Sequence, residues 1–66
     1  MKMIHVHSDG TEYQVVRIAP EEPPELVLCD SPEELVSVLR GLGVEVTGVA
    51  HVLDELEDRD VAEVRM

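Results

Sequence analysis

Sixty-six residues suffice for one small domain, which buries only about 60% of the surface its unfolded chain exposes. Fifteen acidic against five basic residues give a formal net charge of −10. That excludes a direct nucleic-acid reader, which must neutralise phosphates, and a binder of anionic membrane surfaces.

One Cys allows no internal disulfide, so stability must come from regular packing or from self-association. Phe and Trp are absent and Tyr13 is the only aromatic, so the core is aliphatic. The twelve valines favour strands. Met1-Lys2-Met3-Ile4-His5 lacks the pattern of a signal peptide. No apolar run approaches the roughly 18 residues that span a bilayer. A lone Cys29 fits a reducing, cytoplasmic setting. The negative charge favours solubility and would steer a basic partner in; a salt-rich cytoplasm selects the same composition.

Residues 3–18 read as a hairpin around Asp9-Gly10, a two-residue type I′ signal. That loop would set His7 against Glu12, Val6 against Tyr13, His5 against Gln14 and Ile4 against Val15. One face then carries Ile4, Val6, Tyr13 and Val15, a core face. The other carries Met3, His5, His7, Glu12, Gln14, Val16 and Ile18, polar near the turn and apolar beyond it.

His5 and His7, two apart on one strand, point to the same side. Such a pair holds a metal when a third ligand converges, and Glu12 is the candidate. Met3-Ile4-His5-Val6-His7-Ser8-Asp9-Gly10 resembles the opening motif of the polymerase-and-histidinol-phosphatase metal hydrolases, where an H-x-H strand begins a large barrel. That resemblance implies further His and Asp ligands from later barrel strands, which a chain of 66 residues does not supply.

Ala19-Pro20-Glu21-Glu22-Pro23-Pro24-Glu25 reads as a connecting loop, because its prolines exclude a ladder. Leu26-Val27-Leu28-Cys29 is a short apolar run with the mark of a strand buried on both faces. A helix covers one face; in so small a chain a partner subunit is the natural cover for the other. Cys29, flanked by Leu28 and Asp30 with no nearby base, reads as a small core residue rather than a nucleophile.

The clearest helix spans residues 31–43. Ser31 and Glu34 form a capping box, Pro32 stands at the first helical position, and Leu35, Val38, Leu39 and Leu42 make one apolar stripe. Glu33 and Glu34 sit at its positive end, Arg40 at its negative end, and Gly41 and Gly43 supply the stop. Val44-Glu45-Val46 reads as a short strand. Thr47 would cap a second helix over residues 48–58, striped by Val49, Val52, Leu53 and Leu56. A single strand through residues 44–53 is the rival, because Gly48 weakens the helix start. Residues 61–66 close the chain as a strand with Ala62, Val64 and Met66 on one face. The sum is a two-layer α+β sandwich in the order β-β-β-α-β-α-β, with two helices on one face of a mainly antiparallel sheet.

Asp54, Glu55, Glu57, Asp58 and Asp60 form the densest acidic patch. Acidic groups at a helix C-terminus oppose its dipole, Asp54 and Asp58 repel at i, i+4, and only Glu55–Arg59 would offset this. His51, one turn from Asp54 and Glu55, would form a charge pair. No phosphate loop, nucleophile elbow, zinc spacing, basic stripe or cofactor motif is present, and no motif names an activity. The expectation is a non-enzymatic interaction module, a homodimer that offers its acidic patch to a basic protein. The alternative is a small metal- or ligand-binding protein using His5, His7 and Glu12.

Overall fold

A computed structural model describes residues 2–65 of the chain. Strands β1 (Met3–Ser8), β2 (Tyr13–Ala19) and β3 (Glu22–Cys29) are followed by helices α1 (Pro32–Gly41) and α2 (Val46–Asp58) and by strand β4 (Val61–Arg65). The strands form one antiparallel sheet in the order β3-β2-β1-β4. Leaving β3 at one edge, the chain runs through both helices and returns at the opposite edge as β4. The result is the α+β sandwich foreseen, with both helices packed on one face of the sheet.

The first hairpin is wider than the Asp9-Gly10 signal implies. Val6 pairs with Val15 and Ser8 with Tyr13, which leaves a four-residue loop of Asp9, Gly10, Thr11 and Glu12. The cause is the Asp9 carboxylate. Its Oδ1 accepts from the backbone N–H groups of Thr11 at 3.0 Å and Glu12 at 2.9 Å, and from the Thr11 hydroxyl at 2.9 Å. Those bonds, the two backbone ones foremost, hold the Asp9 pKa below its ordinary value. Gly10 takes a φ of 95°, which only glycine adopts cheaply. The register moves by two residues, so each side chain keeps its expected face.

β3 corrects two expectations. Residues 19–25 are not a plain loop: only Pro20 and Glu21 form the turn, and Pro23 and Pro24 lie inside β3. The ladder tolerates them because β3 is an edge strand, where a missing N–H can face solvent, and because the pairing shifts between Arg17 and Ala19. Arg17 clasps that irregular end, with Nη2 3.2 Å from Glu22 and 3.1 Å from Glu25. Nor is the run Leu26 to Cys29 buried on both faces within the chain. Val27 and Cys29 turn toward the helices, whereas Leu26 and Leu28 turn outward, 60% and 54% exposed.

α1 starts as its sequence dictates. Ser31 Oγ accepts from the Glu34 N–H at 3.2 Å, and Glu34 Oε2 accepts in return from the Asp30 N–H at 3.1 Å. Its end is a Schellman turn. Gly43, with φ 97°, donates to the Arg40 carbonyl, and Val44 donates to the Leu39 carbonyl at 3.0 Å. Gly41 remains inside the helix, so Gly43 alone supplies the stop.

Residues 44–46 are not a strand. The Schellman turn commits Val44 to the core beside Leu39, while Val46 is 66% exposed as the first residue of α2. A strand would have put both on one side. α2 therefore begins two residues earlier than expected, and its N-cap is Glu45 rather than Thr47, without a side-chain bond. Gly48 has a packing role: a Cβ there would lie 2.8 Å from the Val44 Cγ1.

The core joins Ile4, Val6, Val15, Cys29 and Ala62 of the sheet to Leu35, Leu39, Val44, Val49 and Val52. Val38, Leu42, Leu53, Leu56 and Val64 close its margins. Met66, expected beside Ala62 and Val64, lies outside the described residues.

Candidate functional site

The sheet has two faces, and the helices cover only one. Pairing and alternation place Met3, His5 and His7 of β1, Gln14, Val16 and Ile18 of β2, Leu26 and Leu28 of β3, and Val61, Glu63 and Arg65 of β4 on the open face. Leu28 neighbours Gln14, Leu26 neighbours Val16 and Ile18 neighbours Met3, so the apolar groups gather on the β3–β2 side. The polar groups gather on the β1–β4 side. No residue of α1 or α2 covers any of them.

His5 and His7 stand together on this face as their spacing requires. Glu12 does not join them: it lies in the hairpin loop, and Gln14 is opposite His7. The carboxylate beside the pair is Glu63, whose Oε1 is 3.5 Å from His5 Nδ1. Sequence reasoning missed Glu63 because its proximity depends on β4 pairing with β1 across nearly the whole chain, for which there is no local signal. Among the described residues, no three His, Cys, Asp or Glu groups are placed to hold a metal ion. The H-x-H strand sits in a four-stranded antiparallel sheet rather than at the start of a barrel, so the hydrolase resemblance ends with the motif.

The acidic residues lie on the other side of the molecule. Asp54, Glu57 and Asp58 are exposed along the last turns of α2, which has no basic residue in its last turn. Glu55 is half-buried, and its Oε1 meets His51 Nε2 at 2.7 Å. The expected Glu55–Arg59 offset is replaced by this pair, because Arg59 leaves the helix with φ −138° and ψ 165°. Asp60 is exposed in the turn to β4, and its carbonyl accepts from the Ser8 N–H at 2.8 Å. The structure thus groups Asp54, Glu57 and Asp58, ties Glu55 to His51, and uses the Asp60 backbone to anchor β4.

Cys29 is fully buried. Burial, then Glu34 and Asp30, raise its pKa, which keeps the thiol protonated and unreactive. No helix is long and apolar enough to cross a membrane among the described residues. Comparison with known protein families, with characterised proteins and with solved structures found no match.

Proposed function

We propose that this chain is a non-enzymatic protein-interaction module that works as a homodimer and offers the acidic surface of α2 to a basic partner protein. The supporting observation is the segregation of the surface: uncovered apolar groups on one side of the sheet, Asp54, Glu57 and Asp58 beyond the helices on the other. Carboxylates at the C-terminal end of a helix oppose its dipole, a local cost of about 0.3–1 kcal/mol each that, for these three, no ion pair among the described residues offsets. A cation from outside removes that cost. The buried thiol of Cys29, His5 and His51 each beside a single carboxylate, and the exposed His7 offer no activated nucleophile or base, which favours a binding role.

The test is capture of a lysine-rich basic peptide, measured against salt. Asp54→Asn with Glu57→Gln and Asp58→Asn should weaken capture about 10-fold or more and flatten the salt dependence. A control with the same change of charge elsewhere, Glu21→Gln with Glu33→Gln and Glu45→Gln, should retain most of it. Equal loss in both variants would show that net charge alone attracts the peptide and would sink the assignment to α2.

A further inference from the structure

We propose that the open face of the sheet is closed by the same face of a second copy of this chain, in a two-fold, face-to-face homodimer. This rests on the self-association included in the reading above and is independent of the basic partner.

Chemistry selects the face. Among the described residues, Ile18, Leu26 and Leu28 are large exposed hydrophobics together on the β3–β2 side of this face; Val61 stands across it on β4, and Val46 lies on α2. Single exposed apolar residues are ordinary, but a contiguous group on one sheet face marks an interaction surface. Edge pairing is a poor route for β3, where Pro23, Pro24 and the pairing irregularity interrupt the free ladder.

Charge selects the occupant. The chain has fifteen acidic residues, yet among the described residues the open face carries one carboxylate, Glu63, balanced by Arg65 two residues along the same strand. A basic protein is drawn to the acidic surface beyond the helices, not to this neutral face. A second copy brings a face equally apolar and equally neutral. Its Asp54, Glu57 and Asp58 lie on α2, beyond the helical layer from this face. The molecule is 19 Å across in its thinnest direction, beyond the Debye length of about 8 Å at physiological salt, so the two acidic surfaces are screened from each other.

Geometry sets the arrangement and the strength. A two-fold axis in the plane of the sheets and across the strands lays β2 and β3 of one protomer on β2 and β3 of its partner. It brings Val16, Ile18, Leu26 and Leu28 of one copy against the same apolar group of the other. Four strands about 4.8 Å apart and about six residues long at about 3.4 Å each make a face of roughly 19 by 20 Å, ~400 Å² in projection. Side-chain relief enlarges the accessible area, but it stays at the low end of specific interfaces, which bury about 800 Å² per partner. The dimer is therefore concentration-dependent, and it leaves two acidic α2 surfaces facing outward at opposite ends.

Sedimentation equilibrium of the full chain, from low micromolar to millimolar, reads this directly. The expected mass rises from 7.3 kDa toward twice that value. Leu26→Glu with Leu28→Glu, both exposed in the protomer, should raise the dissociation constant about 100-fold or more with an unchanged far-UV spectrum. Val61→Glu, on the far side of the same face, repeats the test if the double variant unfolds. Val46→Glu, and the Asp54→Asn, Glu57→Gln, Asp58→Asn variant, should leave the dimer intact. The proposal is overturned if the wild-type chain stays at 7.3 kDa throughout, or if folded Leu26→Glu, Leu28→Glu or Val61→Glu protein dimerises normally. Loss of peptide capture with the dimer preserved would strike only the basic-partner reading.

Discussion

On one side of the sheet, Ile4, Val6, Val15, Cys29 and Ala62 are sealed beneath α1 and α2; on the other, Val16, Ile18, Leu26, Leu28 and Val61 have no cover within the chain. Alternation along the strands produces both sets from the same segments. The run Leu26-Val27-Leu28-Cys29 contributes two residues to each. The apolar sets are alike, but the open face also carries His5, His7, Gln14, Glu63 and Arg65 and has no covering layer. The described residues provide one layer of helices, and none of them covers the other face. A small domain can thus have an apolar face that it does not use for its own fold.

The largest contrast should appear when one leucine is removed from each side. Leu39→Ala, fully buried, is expected to cost about 2–5 kcal/mol in urea unfolding. Leu28→Ala should change the stability of the dilute protomer by less than about 0.5 kcal/mol while weakening self-association. Equal losses would mean that the open face contributes to the protomer's own core. Next comes Gly43→Ala. A side chain at φ 97° strains the Schellman turn that delivers Val44 to the core, and the expected loss is about 1–3 kcal/mol. Asp58→Asn sharpens the comparison from the acidic side: it should stabilise α2 by about 0.3–1 kcal/mol while reducing peptide capture.

The smallest effect concerns pH. The Cys29 pKa is raised in the fold, chiefly by burial, so native protein keeps the proton that unfolded protein loses. The stabilisation is full below the unfolded thiol's pKa and declines as pH rises above it. In mildly alkaline solution a thiol reagent should label Cys29 slowly in native protein and quickly in urea. Rapid native labelling would show that β3 opens readily at this edge.

Much of this architecture can be read from local chemistry. Ser31, Pro32 and Glu34 announce the start of α1, and its leucine-valine stripe announces the face it buries. The hairpin faces are legible even though the loop is longer than expected, because a two-residue shift preserves alternation. What is not legible depends on distant partners or on a side chain acting as a cap. Asp9 widens the turn by accepting three hydrogen bonds, against the usual behaviour of Asp-Gly. Pro23 and Pro24 look like a loop until their strand is known to lie at an edge. Val44 and Val46 look like a strand until the Schellman turn separates them. Glu63 meets His5 only through the last strand, so the composition of the candidate face emerges from the assembled sheet.

The measurement that bears most directly on the uncovered face is an isotope-filtered nuclear Overhauser experiment on a mixture of labelled and unlabelled chain at high concentration. A face-to-face homodimer predicts intermolecular contacts among the methyl groups of Val16, Ile18, Leu26, Leu28 and Val61, and none from Leu35, Leu39 or Val52 in the core. Intermolecular contacts confined to the helices, or none at all, would contradict it and leave the open face without a second copy as its cover.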